Sequence, residues 1–202
     1  TFRADPKRIG FFGHSHGGLS GALVLSVDPL IQIGVLSGAA GVLVETILRR
    51  KDPADLALLA ATALGVDADA IDTFHPAMSV LQMLVDATDP INYAPAWLAP
   101  RAGGLAKHVL VTEGTADHAS PAVGTEALAA AAGVPMLAPQ AKASVAHPLR
   151  GLPTLSLPTS GATDTPDGPR TAGLRQWQGG SHFVATQAAD GRALWANFLG
   201  SY

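Results

Sequence analysis

The sequence contains no cysteine. Disulfide frameworks, thiolate zinc sites and cysteine nucleophiles are therefore excluded together, and cysteine usage points to no particular redox compartment. Charge is scarce as well. Asp, Glu, Lys and Arg make up 14% of the 202 residues, 13 basic against 16 acidic, for a formal charge of −3. No basic stripe or run stands out that would neutralise phosphates, which argues against a nucleic-acid partner. Long apolar runs are missing too. The most membrane-like region, Leu19 to Leu48, is interrupted by Asp28-Pro29 and Gln32 before about 20 apolar residues accumulate, so no transmembrane segment is expected. The chain opens on Thr1 with no signal-peptide h-region behind it, which points to a processed or missing start.

What the chain does have is apolar mass. Hydrophobic residues reach 48% and the mean hydropathy is +0.25, the opposite of the composition that keeps chains disordered. The length suits one domain of ordinary size. Arg8 to Gly13 forms a short apolar run that reads as a buried parallel strand. Gly17 to Val27 follows as a helix of small and apolar residues, buried on most sides and stopped by Asp28-Pro29. Ile31 to Ser37 is a second buried strand. Strand, helix and strand in that order make a βαβ unit, so the expected fold class is α/β: a mostly parallel sheet with helices on both faces.

Residues 42–100 change character. Helical stretches at Leu43 to Arg50, Ala54 to Leu64 and Met78 to Val85 are joined by Asp-Pro and His-Pro junctions without a good strand, as in a helical, cap-like insertion over a sheet. A third strand is expected from Lys107 to Glu113, followed by a helix from Val123 to Ala132. Residues 133–170 hold seven of the fifteen prolines with little periodicity and read as a long excursion. A final strand from Gly173 to Gln178, a Gly-rich turn and an amphipathic helix from Thr186 to Leu199 close the chain.

Chemistry concentrates at Gly13-His14-Ser15-His16-Gly17, which fits G-x-S-x-G with an apolar strand before it and a small-residue helix after it. A sharp strand-to-helix turn exposes the serine hydroxyl, and side chains two residues to either side would collide across that turn, hence the glycines. Gly17, Gly18 and Gly21 also let the helix approach the sheet. At a helix N-terminus the His16 N–H is one donor for a developing oxyanion. His14 and His16 are expected to point away from the serine hydroxyl. An H-x-H pair without a third ligand at recognisable spacing is a poor metal signal, and no cofactor motif is present.

These residues resemble the α/β-hydrolase family, and Gly-His-Ser-His-Gly-Gly looks like its esterases and lipases. The resemblance implies a serine, acid, histidine order, with the acid after a late strand and the histidine after the last one. Asp117 follows a predicted strand in Glu113-Gly114-Thr115-Ala116-Asp117; Asp86 and Asp89 compete, but neither follows a strand. Seven histidines compete for the base. His108 sits within a strand, His75 and His147 precede prolines, and His118 adjoins the candidate acid; only His182 follows the terminal strand. The resemblance therefore implies a triad of Ser15, Asp117 and His182 acting on a small-molecule or lipid ester. A thioesterase, amidase, peptidase or acyltransferase on the same fold, or a non-catalytic hydrolase-like module, stays open. It also implies early strands and a second oxyanion donor, for which the fourteen residues before Ser15 leave no room. The expectation is a partial domain spanning 1–202 whose N-terminal strands come from a further segment of the same product or from another chain.

Overall fold

A computed structural model of the chain describes residue 5 and residues 8–100 and 104–202. Its centre is a six-stranded, wholly parallel sheet. In spatial order the strands are β1 (Ile9–His14), β2 (Ile31–Ser37), β3 (His108–Gly114), β6 (Ala172–Trp177), β4 (Met136–Leu137) and β5 (Thr154–Leu155). Their alternation splits the apolar side chains between two layers. Leu36, Val109, Val111 and Leu174 face Leu25 of α1 (His16–Val27) and Leu128 of α5 (Ala122–Ala132). Val35, Leu110 and Leu137 face the other way, where Leu194, Trp195 and Phe198 of α8 (Ala189–Gly200) cover them. Each fully buried aliphatic side chain contributes roughly 1.5–3 kcal/mol over leaving it exposed.

Between β2 and β3 lie α2 (Leu43–Arg49), α3 (Leu56–Leu64) and α4 (Pro76–Val85), with short 3-10 turns after α3 and α4. They enclose a small core of their own: Val44, Ala61, Ile71 and Met78, flanked by Leu48 and Leu81. Leu58, Leu59, Met83 and Leu84 of the same helices are exposed. Hydrogen bonds tie the insertion to the helix after β1 and to the loop after β3. Trp97, fully buried, donates its indole N–H to the Ala22 carbonyl of α1 at 2.9 Å. The N–H groups of Lys51 and Asp52 donate to the His118 carbonyl at 2.9 and 3.2 Å.

Three details differ from the sequence reading. Residues 133–170 add β4, β5 and the short helix α6 (Ala146–Leu149) to the sheet's far side; two-residue strands are too short to show a period. The closing helix is two, α7 (Val184–Gln187) and α8, because the chain turns extended at Ala188. The interruption is well supported: Arg192 donates to the Thr186 and Gln187 carbonyls and Trp195 to that of Ala185, so side chains of α8 satisfy the end of α7. Finally, α1 is fully buried only along Gly18, Gly21, Ala22 and Leu25. Among the described residues β1 ends the sheet.

Candidate active site

Parallel strands bring the loops at their C-terminal ends to one edge, and there Ser15, Asp117 and His182 follow β1, β3 and β6. Ser15 occupies φ 57°, ψ −123°, a conformation that costs a non-glycine residue on the order of 1–3 kcal/mol. Its backbone N–H is held by the Ser37 carbonyl at 2.8 Å, and its own carbonyl accepts from Gly18 and Leu19 at 2.8 and 3.1 Å. These bonds lock the turn into α1 while the His16 and Gly17 N–H groups stay among the first-turn donors that have no acceptor within a helix. The flanking glycines divide unequally. A Cβ on Gly13 would sit 2.3 Å from the Gly17 carbonyl oxygen, whereas one on Gly17 would meet nothing within 4 Å. Only the first glycine is demanded by the turn, a correction to the symmetrical collision expected from the motif. Gly18 and Gly21, not Gly17, provide the close approach to the sheet, against Ala39 and Phe11 respectively.

Asp117 and His182 meet directly. His182 Nδ1 lies 2.7 Å from Asp117 Oδ2, with both side chains buried. The other oxygen, Oδ1, accepts the Ala119 and Ser120 N–H groups at 2.8 Å each, which fixes the carboxylate plane. The two loops are also stitched together: Ala116 N–H donates to the Gly180 carbonyl at 2.9 Å, and Gly179 N–H to Thr115 Oγ1 at 2.8 Å. Gly114 makes this crossing possible, since a Cβ there would sit 2.2 Å from the Ser181 carbonyl oxygen.

The end of β2 joins this pair to the serine turn. Ser37 holds Ser15, and the next residue, Gly38, has φ 56° and lies against His182; a Cβ there would be 2.7 Å from His182 Cε1. Among the described residues no hydrogen bond joins Ser15 Oγ to the His182 ring, whose bond is the one through Nδ1 to Asp117. Such contacts commonly close only when substrate arrives. His14 packs its ring 4.6 Å from that of His182 and places Nδ1 3.1 Å from Ser37 Oγ. Burial, and then the neighbouring His182, hold the His14 pKa below the usual histidine value, with Asp117 opposing them. His16 is exposed.

The competing acids are spent elsewhere. Asp89, fully buried, accepts the Val42 and Leu43 N–H groups at 3.1 and 2.7 Å and so holds the start of α2, where Val42 has φ 56°. Asp86 Oδ1 accepts from Gln82 and Asn92. The sequence reading gave His14 no role beyond pointing away from the serine hydroxyl, and it passed over Ser37, Gly38 and Phe183, whose ring lies 5.2 Å from that of His182. The signal for His14 was available: strand alternation puts it on the face of Phe12, toward the returning C-terminal segment. Among the described residues no cluster of His, Asp and Glu fit to hold a metal ion occurs, and no helix is long and apolar enough to cross a membrane. A cavity of about 460 Å³ under α8, between Leu110, Leu157, Thr171 and Phe198, shares no residue with this edge.

No protein-family model matches the sequence, and no curated protein sequence does. Solved structures do match, at low identity. The chain is similar to a puromycin-hydrolyzing peptidase of Mycobacterium tuberculosis (16% identity, TM-score 0.54), with 98% of this chain and 22% of that one covered. It is similar to acetyl xylan esterase 1 of Thermoanaerobacterium sp. JW/SL YS485 (14%, TM-score 0.53), covering 98% of this chain and 47% of that one. It also aligns with the acylaminoacyl peptidase of Pyrococcus horikoshii (12%, TM-score 0.51), with 96% and 23% covered. The fold is thus of the α/β-hydrolase type, and the chain spans less than half the length of each of these proteins.

Proposed function

We propose that this chain carries the catalytic residues of a serine hydrolase that cleaves carboxylic esters. The observation that carries the reading is the 2.7 Å bond between buried His182 and Asp117, beside a serine held at positive φ at a helix N-terminus. In the reaction Ser15 Oγ attacks the ester carbonyl carbon while His182 Nε2 takes its proton. Asp117 accepts the Nδ1–H bond and stabilises the imidazolium. The negative charge on the carbonyl oxygen is met by the His16 N–H. His182 then returns the proton to the departing alcohol, leaving an acyl-serine, and water attacks that ester by the same route in reverse.

Amide cleavage is the second reading, favoured because similar structures include proteins named as peptidases. The edge of β1, unpaired among the described residues and with Phe11 and Phe12 only half buried, supports a further part of the proposal. Additional strands, from the same polypeptide or another, pair with β1 and bring a second oxyanion donor. One set of measurements tests both parts. A fluorophosphonate probe is expected to label Ser15 but not a Ser15→Ala variant, and p-nitrophenyl esters of graded length should outpace peptide anilides. Residues 1–202 alone should self-associate and turn over slowly. Absence of labelling would overturn the hydrolase reading, and a monomer with full ester turnover would remove the added strands.

A further inference from the structure

His14 takes no part in the proton and acyl transfers just described, yet it is built closely into the surroundings of the base. Its ring centroid lies 4.6 Å from that of His182, tilted by 48°, and 5.1 Å from that of Phe183. Its Nδ1 is 3.1 Å from the hydroxyl of Ser37, a fully buried residue whose carbonyl already holds the Ser15 N–H. Among the described residues its Nε2 is buried without a hydrogen-bond partner. A histidine present only to end a strand has no need of such a setting, because leaving a buried ring nitrogen unpaired costs roughly 1–3 kcal/mol.

We propose that His14 is a positioning residue: its uncharged ring, anchored on Ser37, forms the wall that keeps the His182 imidazole in the plane from which Nδ1 reaches Asp117 and Nε2 serves Ser15. The inference rests on the acyl-transfer reading, since it concerns how the base of that reaction is held. One hydrogen bond fixes a point on an imidazole and leaves the ring free to swivel about it; a contact on the ring itself removes that freedom. The wall also has an electrostatic side. When His182 takes up the serine proton, a second cation beside it would repel the charge, which an uncharged ring does not. The groups around His14 are Ser37 of β2, and His182, Phe183 and Asp117 of the loops; only His182 and Asp117 carry or gain charge. Burial first, then His182, lower the His14 pKa, with Asp117 opposing them.

The test uses the full chain with two readouts, the rate of fluorophosphonate capture at Ser15 and the downfield NMR signal of the His182 Nδ1–H. His14→Ala is expected to slow capture by roughly 10- to 100-fold and to broaden the Nδ1–H signal. His14→Phe, which restores a ring, should recover most of the rate, and Ser37→Ala, which removes only the anchor, should slow capture by a smaller factor. Ser15→Ala should keep the signal. Wild-type capture together with an unchanged signal in His14→Ala would overturn the proposal. If His14→Ala does not fold by circular dichroism, wild-type behaviour of both Ser37→Ala and a ring-free His14→Leu would do so. A wild-type chain that never labels, but whose Nδ1–H signal still responds to His14→Ala, would sink the acyl-transfer reading and leave the positioning contact standing.

Discussion

Glu113, near the end of β3, and Asp117, in the loop that follows it, are both buried acids, yet their surroundings differ in kind. Asp117 receives three donors: the Ala119 and Ser120 N–H groups and His182 Nδ1. Among the described residues Glu113 receives one, the Gln176 amide at 2.9 Å, and its Oε2 is buried with no hydrogen-bond partner. Its neighbour is another buried acid, Glu126, whose cationic partner is the half-exposed Lys142 at 3.5 Å. Burial, then repulsion from Glu126, push the Glu113 pKa up to about 8. Burial has to be read together with the donors supplied to a carboxyl group, because hydrogen bonds to the charged form favour it. The loop after β3 spends its backbone N–H groups on the Asp117 carboxyl, while the strand interior has none to spare for Glu113.

The largest expected effect comes from breaking the donor-rich side. Asp117→Asn keeps the size of the side chain and an oxygen for the Ala119 and Ser120 N–H groups, but it no longer offers His182 an anion. In serine proteases with a Ser-His-Asp triad the same exchange costs about 10⁴ in turnover through the wrong histidine tautomer. A loss of that order in ester turnover and in Ser15 capture is expected, with thermal unfolding changed by only a few degrees. A loss under tenfold would mean that Asp117 does not serve the histidine.

Much of this contrast could be read from residue order, and some could not. The strand, helix, strand succession follows from apolar runs punctuated by Asp28-Pro29 and glycines. The loops holding Ser15, Asp117 and His182 follow from which strand each residue succeeds. The period-2 pattern Val109, Val111, Glu113 even puts Glu113 on a core face. What order along the chain cannot supply is tertiary contact across many residues: Ser37 beneath His14, Gly38 beneath His182, Gln176 opposite Glu113. The asymmetry of Gly13 and Gly17 is of the same kind, since it depends on how tightly one turn closes. The split at Ala188 escaped because both halves have helical composition, and what ends α7 is a set of side chains from α8.

The donor-poor side should show itself in pH rather than in rate. Glu113 has its pKa raised in the folded chain from an ordinary value near 4.5 to about 8, so the folded state binds a proton that the unfolded state has released between those limits. Its stabilising contribution is then fully present below about pH 4.5 and is lost as pH rises toward 8, at on the order of 1 kcal/mol per pH unit. Glu113→Gln imitates the protonated acid at every pH and can still accept from Gln176. Urea unfolding followed across this window should give a shallower decline for the variant than for the wild type, with the variant the more stable at the alkaline end. Parallel curves would show that Glu113 titrates alike in both states.

The smallest effect is reserved for Lys142, and its size sharpens the contrast in donors. Burial raises the Glu126 pKa, and the Lys142 ammonium opposes that rise. The lysine side chain is 49% exposed and 3.5 Å away, so screening by water limits the pair to under about 1 kcal/mol. Lys142→Met leaves burial opposed by Ser144 alone, and Glu126 responds by holding its proton to higher pH. By the same sign as for Glu113, the loss is absent where the buffer is acidic enough to protonate the acid with or without the lysine, and grows as the pH rises. Urea midpoints at the two ends of that range measure it, and high salt should shrink the difference between variant and wild type. An equal loss at both ends would assign Lys142 a packing role through its methylene stem, and would leave Glu126, like Glu113, an acid whose surroundings supply no effective positive charge.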